Sequence, residues 1–124
     1  MKTYHHCIIL VSIFNDACQQ HIQVWERYKD TNSEFKVLVV HHYELVKFIK
    51  EIHRQYRFDY FIHTDISSFW NLYRLQFYLK DLPKENYYFG DEQFPYSTKK
   101  GIDTISSHDV FESIIENLDK YSSL

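Results

Sequence analysis

The sequence predicts an α/β protein in which a mainly parallel β-sheet is flanked by helices. Short apolar runs alternate with amphipathic segments of helical length along the chain, a pattern typical of βαβ units. The chain has 124 residues, of which 44% are hydrophobic and 25% charged, as in globular proteins. A chain of this length can bury about two-thirds of its unfolded surface. We therefore expect residues 1–124 to form a single domain.

The first half of the chain alternates twice between strand and helix. Residues 6–14 form an apolar run, typical of a strand that is buried on both faces. Asn15 and Asp16 end this run and can cap a helix. The apolar stripe of that helix consists of Cys18, Ile22, Trp25 and Tyr28. A second strand is predicted over residues 35–40. The helix that follows it has its inward positions at Leu45, Phe48, Ile49, Ile52 and Tyr56.

The second half continues the alternation and ends in a helix. A third strand is predicted over 58–64, and a helix over 69–82 that Pro83 stops. We expect this helix to be covered on two sides, because Trp70, Tyr73 and Phe77 form a second apolar face. A short strand follows over 86–89, then an irregular stretch over 90–100. A Ser-x-x-Asp pattern at 106–109 predicts the start of the last helix.

Composition excludes several functional classes. The only glycines are Gly90 and Gly101, too few for a GxGxxG turn or a P-loop, so Rossmann dehydrogenases, P-loop NTPases and protein kinases are excluded. The formal net charge of −3 argues against nucleic acid as a partner. No apolar run is long enough to span a bilayer. With no signal peptide, and with Cys7 and Cys18 expected as buried reduced thiols, we expect a cytoplasmic protein.

Polar clusters follow three of the predicted strands. They are Asn15 and Asp16, His41 and His42, and His63 to Asp65. Because ligands of open α/β sheets bind beyond the carboxyl ends of the strands, we expect these clusters to share one edge. Adjacent residues of a strand point to opposite faces, so the histidine doublet cannot chelate one metal by itself. His63 and Asp65 share a face, and with either histidine they could form a zinc site, which stays an alternative.

The segment from Asp65 to Ser68 joins the third strand to the helix after it. Ser67 or Ser68 is a natural N-cap, and an uncomplicated loop and cap is one interpretation. The other interpretation is an anion site, because backbone N–H groups, hydroxyls and the helix dipole together favour a phosphate or diphosphate. Asp65 beside a diphosphate would require a bridging cation, and Mg²⁺ or Mn²⁺ with oxygen ligands would serve.

Residues 58–71, FDYFIHTDISSFWN, are followed by Leu75, by LKDLP at 79–83 and by YFG at 88–90. This series resembles the central block of GT-A glycosyltransferases of the galactosyltransferase/Fringe-like branch, which includes short bacterial and viral members. Residues 101–110, GIDTISSHDV, are similar to the segment of that family beside the acceptor site. The resemblance implies a nucleotide-diphospho-sugar-transferase-like fold, and transfer of a sugar from a nucleotide diphosphate, usually UDP, to an acceptor hydroxyl.

The resemblance also implies roles for individual residues. In the family a DxD motif holds Mn²⁺ against the diphosphate; Asp65 matches its first aspartate, and Ser67 stands at the last. Asp65 is therefore the expected ligand of Mn²⁺ or Mg²⁺. The other candidates are Ser67 and Ser68 for the phosphates, Asn15 and Asp16 for the nucleoside, His63 as a further donor-site residue, and Asp103 as catalytic base.

Two further hypotheses remain beside the glycosyltransferase. The family usually carries a catalytic acidic motif and a metal-binding histidine after the last helix, and the sequence ends in that region. A truncated, non-catalytic binding domain of the same fold is therefore the alternative, and exposed aromatic residues could let it form a homo-oligomer. A flavodoxin-like or receiver-like domain is partly compatible with Asp16 and Asp65 but lacks the Lys and Thr/Ser expected at later strand ends.

Overall fold

β1 lies at the centre of the parallel part of the sheet. The computed structural model describes residues 2–13, 19–28, 34–66, 71–90 and 104–122. In chain order the elements are β1 (Thr3–Ile13), α1 (Gln19–Tyr28), β2 (Phe35–His41), a single 3-10 turn (His42–Glu44), α2 (Leu45–Gln55), β3 (Tyr56–Asp65), α3 (Leu72–Lys80), β4 (Tyr88–Gly90), β5 (Thr104–Ser107) and α4 (His108–Ser122).

The strands form one mixed sheet in the order β2-β1-β3-β5-β4. β1 is parallel to both β2 and β3. β5 is antiparallel to β3 and to β4, between which it lies. The prediction of an α/β domain with a parallel core is thus confirmed, and the sheet as a whole is mixed.

β5 is an element that the sequence prediction missed. The pattern at 106–109 predicts a helix start, but Ser106 and Ser107 belong to β5, and α4 begins at His108. Ile105, Ser106 and Ser107 are all buried. A four-residue strand that buries two serines has neither the length nor the apolar alternation by which strands are recognised.

Alternation along β1 builds the core in two layers. Cys7, Ile9 and Val11 belong to the cluster that includes Trp25 of α1 and three leucines of α3. Ile8 and Leu10 belong to the opposite cluster, which contains residues of α2 and α4, among them Ile52 and Phe111. The five β1 residues from Cys7 to Val11 are each 0% exposed. The apolar run of the sequence therefore forms a strand that is buried on both faces, as predicted.

Helix boundaries differ from the prediction at the end of α2 and at the start of α3. Tyr56 begins β3 and has an extended backbone, so it is not an inward position of α2. The N-cap of α3 is Asn71, whose side chain accepts a hydrogen bond from the backbone N–H of Arg74 at 3.1 Å. The prediction of a cap at Ser67 or Ser68 is therefore wrong for this helix, although those two serines lie outside the described residues.

The second apolar face predicted for α3 is not covered by described residues. Tyr73 is 69% exposed and Phe77 is 55% exposed. Their rings lie 5.3 Å apart in an edge-to-face arrangement. Trp70, the third member of that face, lies outside the described residues. Among the described helices, none combines the length and apolar character that crossing a bilayer would require.

The two-layer core makes a matched test possible on α2. Ile52 is 1% exposed, whereas Val46 of the same helix is 45% exposed. Ile52→Ala should lower the free energy of unfolding by about 2–5 kcal/mol, because it removes buried methyl groups and leaves a cavity. Val46→Ala should change it by less than about 0.5 kcal/mol. Urea denaturation followed by far-UV circular dichroism measures both, and equal effects of the two substitutions would contradict this assignment of the core.

Candidate functional site

The carboxyl ends of β1, β2 and β3 meet at one edge of the sheet. Ser12 of β1 lies opposite Val40 of β2 on one side and opposite Asp65 of β3 on the other. The three strands therefore end at nearly the same level. The prediction that the polar clusters after strands two and three share an edge is confirmed for His41 to His42 and for His63 to Asp65. We refer to this region as the carboxyl edge.

Asp65 is the last residue of β3 and lies almost entirely inside the protein. It is 1% exposed, and Thr64 before it is 0% exposed. The Thr64 hydroxyl donates to the backbone carbonyl of Asp65 at 3.3 Å. Burying a carboxylate is costly unless nearby groups compensate for its lost hydration. Aspartate is seldom buried this completely, so the position of Asp65 makes it a candidate for a functional role.

Ser12 and His63 form the polar contact next to Asp65. The Oγ of Ser12 lies 2.6 Å from the Nε2 of His63. Because β1 and β3 are parallel, with Leu10 opposite His63 and Ser12 opposite Asp65, alternation places these polar side chains on one face. Which of the two atoms donates depends on the imidazole tautomer. The contact joins the ends of the two central strands.

The imidazole of His63 is neutral at neutral pH. Its pKa is lowered to about 4, mainly by burial and to a smaller extent by the neighbouring His42, while Asp65 acts in the opposite direction. His63 therefore brings a hydrogen-bonding nitrogen to the edge and no positive charge.

His41 points elsewhere, since its ring stacks on that of Tyr43 at 5.4 Å between centroids.

The structure thus brings together some of the predicted site residues. His63 and Asp65 share one face with Ser12, which the sequence analysis did not propose as a site residue. The sequence feature that could have identified Ser12 is a hydroxyl inside an otherwise apolar, buried strand. The remaining candidates lie outside the described residues, and these are Asn15, Asp16, Ser67, Ser68 and Asp103.

The metal predictions can be examined only where the chain is described. Within residues 2–13, 19–28, 34–66, 71–90 and 104–122 no group of three His, Cys, Asp or Glu side chains is arranged to hold a metal ion. The donor set at the edge nevertheless suits one class of cation. Mg²⁺ commonly binds one or two carboxylates together with the phosphates of a substrate, and Asp65 supplies a carboxylate.

A second polar group connects α4 to the turn before β4. The hydroxyl of Ser107 donates to Asp109 at 2.5 Å, and the backbone N–H of Asn86 donates to the same carboxylate at 2.9 Å. The hydrogen bond from Ser107 lowers the pKa of Asp109. Asn86 has a positive φ of 57°. Asp109 therefore holds a left-handed turn in place, and its role in the described structure is to anchor this connection.

Comparison with known protein families, curated proteins and solved structures found no match for this chain. Any function therefore has to be argued from the residues of the site.

The lowered pKa of His63 predicts a pH dependence of stability. The imidazole titrates at about 4 in the folded protein and near 6.5 when unfolded. Between those values the unfolded chain binds more protons, so stability is complete above pH 6.5 and falls by roughly 3 kcal/mol as the pH drops to 4. Urea denaturation at a series of pH values in metal-free buffer measures this loss.

The matched variants are His63→Gln and His53→Gln. The first should flatten the pH dependence of stability between pH 4 and 6.5, even if it lowers stability throughout. Replacing His53, a half-buried residue of α2 whose Nε2 lies 3.9 Å from Glu112, should leave that dependence in place. An unchanged pH dependence in His63→Gln would mean that another group accounts for it.

Proposed function

We propose that this protein binds a nucleotide-diphosphate sugar, specifically a UDP-sugar, at the carboxyl edge and transfers the sugar to an acceptor hydroxyl. The observation that carries the proposal is the position of Asp65. It is a carboxylate that is 1% exposed, at the end of β3, beside the central strand of the parallel core and at the edge where α/β proteins bind ligands.

The elements around Asp65 support the same proposal. In the quoted glycosyltransferase block, a strand ending in Thr-Asp is followed by a helix that leads to Leu-Pro, and then by a strand ending in Gly. Here β3 ends at Asp65, α3 precedes Leu82 and Pro83, and β4 ends at Gly90. Residues 104–110 of the segment that is similar to the acceptor-side motif lie in β5 and at the start of α4, and β5 pairs directly with β3. The segments to which the resemblance would give donor and acceptor roles are thus neighbours in one sheet.

The proposed chemistry assigns a task to each candidate residue. A carboxylate and a diphosphate repel each other, and a bound Mn²⁺ or Mg²⁺ would supply the charge that offsets both. Asp65 would hold that cation. Ser67 and Ser68 would donate hydrogen bonds to the phosphates. Asn15 and Asp16 would contact the nucleoside. His63, which is neutral, would offer a hydrogen bond without altering the charge of the site.

Sugar transfer itself requires one bond to form and one to break. The acceptor oxygen would bond to the anomeric carbon of the sugar, while the bond from that carbon to the diphosphate oxygen breaks and the nucleoside diphosphate leaves. The proton of the acceptor hydroxyl must pass to a base, and Asp103 is the residue that we propose for this step. The alternative is a binding domain that holds the donor without transferring the sugar.

A thermal-shift series tests donor binding. The midpoint of unfolding is measured with UDP, GDP and common UDP-sugars, each with and without Mn²⁺. A ligand at 100 times its Kd should add about 2.7 kcal/mol of stability. We expect the largest shift with a uridine nucleotide and Mn²⁺. No shift with any nucleotide would refute the proposal, whereas a shift without turnover of the UDP-sugar would favour the binding domain.

Two aspartate variants locate the site. Asp65→Asn preserves the size of the side chain and removes its charge, so it should abolish the part of the shift that depends on Mn²⁺. Asp81→Asn removes the same charge from an exposed position after α3 and should leave the shift unchanged. Each shift is measured against the midpoint of the same variant without ligand. A Mn²⁺-dependent shift that survives Asp65→Asn would show that Asp65 does not hold the metal.

A further inference from the structure

A pocket of about 570 Å³ opens at the opposite edge of the sheet, where the parallel strands begin. Its walls come from the start of β1, from the residue before β2, and from the end of α3 with the turn that follows. The residues that the argument uses are Tyr4, His6, Glu34, Phe77, Lys80 and Lys84. Pockets that bind small molecules commonly have volumes of about 300–1,000 Å³. Ser12 is six positions further along β1 than His6, so this pocket lies roughly 20 Å from the carboxyl edge.

An irregularity in β1 turns His6 towards this pocket. The backbone N–H groups of His6 and Cys7 both donate to the carbonyl of Glu34, at 2.7 Å and 3.2 Å. The pairing of β1 with β3 is interrupted at His6, since His5 lies opposite Phe58 and Cys7 opposite Tyr60 while His6 itself is not paired. Regular alternation would place His6 on the face of Ile8. Instead its ring packs edge-on against Phe35 and Tyr60, which belong to the same cluster as Cys7.

Asp59 fixes the orientation and the tautomer of His6. The Nδ1 of His6 lies 3.0 Å from the Oδ2 of Asp59, and the Tyr4 hydroxyl donates to the same oxygen at 2.7 Å. A carboxylate only accepts hydrogen bonds, so Nδ1 must carry the hydrogen of this contact. Nε2 is then the nitrogen left for another molecule, and it makes no hydrogen bond within the part of the chain that the structure describes.

Tyr4 completes this group and remains protonated. The hydrogen bond to Asp59, together with burial and the charge of Asp59, raises the pKa of Tyr4 to about 12. The hydroxyl therefore stays a donor to Asp59 over the whole physiological range. A histidine held by a carboxylate on one nitrogen and open on the other is the arrangement that proteins use to present an imidazole to a ligand.

Two ammonium groups and an aromatic ring complete the pocket. Lys80 ends α3 and Lys84 follows Pro83; both are exposed, and neither forms an ion pair with a described residue. Phe77, one turn before Lys80, is 55% exposed and lines the same wall. Two carboxylates are also close by, Glu34 in the wall and Asp59 behind His6. The pocket thus combines two ammonium groups, an oriented imidazole and a flat apolar surface.

We propose that this pocket binds a small molecule that carries a phosphate monoester and a flat apolar group. Lys80 and Lys84 would pair with the phosphate oxygens, and Phe77 would pack against the apolar group. A phosphate monoester carries three terminal oxygens, enough to accept from both ammonium groups and to reach Nε2 of His6 as well. A carboxylate has two oxygens, fewer than the three nitrogen groups of the pocket. The pocket therefore favours phosphate over carboxylate.

The test titrates the protein with phenyl phosphate and follows the His6 side-chain nitrogens and the lysine signals by NMR. We expect saturable shifts at His6, Lys80 and Lys84. Inorganic phosphate, which lacks the apolar group, and benzoate, which lacks the phosphate, should each bind at least about tenfold more weakly, a difference of about 1.4 kcal/mol. Absence of saturable shifts with phenyl phosphate, or equal affinity for benzoate, would overturn the proposal.

Two double variants separate the pocket from general charge effects. Lys80→Ala/Lys84→Ala should weaken phenyl phosphate binding at least about tenfold, because both charge-assisted contacts are lost. Arg27→Ala/Lys47→Ala removes the same charge from exposed positions on α1 and α2, and should leave binding unchanged. Equal weakening by both pairs would overturn the proposal. Lys80 also lies where a cation stabilises a helix C-terminus, so the thermal midpoint of each variant is recorded beside its affinity.

Asp59→Asn tests the positioning of His6. The variant should shift the imidazole from a single tautomer, with hydrogen on Nδ1, towards a mixture, which the side-chain nitrogen shifts report directly. Binding of phenyl phosphate should weaken in parallel. An unchanged tautomer would contradict the role of Asp59. The variant Asp65→Asn should retain full binding, so failure here and failure of the donor site at the carboxyl edge give different results.

Discussion

Complete burial of β1 is the constraint on which the rest of the structure depends. Its residues from Cys7 to Val11 have no exposed surface, so both faces of the strand require a layer of helices. Each large apolar side chain that is fully buried contributes about 1.5–3 kcal/mol. α1 and α3 cover one face, while α2 and α4 cover the other. Because β2 and β3 pair with β1 in parallel, their ends align and two chemically distinct edges result.

The sequence predicts those elements of the fold in which buried apolar residues recur at the spacing of a helix or a strand. The apolar run of β1 and the stripe of α2 are recognisable because each has enough residues to show its period. β5 is not recognisable, since its four residues are held by pairing with strands distant in sequence. Tyr73 and Phe77 are predicted to be covered because they lie on a second apolar face of α3, but a helical stripe cannot show whether another element is available to cover it.

The same distinction applies to the candidate sites: some residues could be proposed from sequence, whereas contacts that depend on strand pairing could not. Asp65 and His63 could be proposed from sequence, because a polar cluster that ends a buried strand lies at the ligand-binding edge of an α/β sheet. The contact of Ser12 with His63 could not, since it joins two strands 51 residues apart and depends on their register. The orientation of His6 could not be proposed from sequence either, because it depends on a local interruption of the pairing between β1 and β3.

His6 and His63 show how burial and partner decide what an imidazole can do. His63 lies within the polar end of the core, where burial favours the uncharged ring and its Nε2 is used by Ser12. His6 lies at the open end of the same pair of strands, where Asp59 holds its Nδ1. The imidazole of His63 serves mainly to join β1 and β3 at a buried edge of the sheet. In His6, by contrast, Nε2 is left for a ligand of a pocket that contains two lysines, and this difference is why direct recognition of the phosphate monoester in that pocket is proposed for His6.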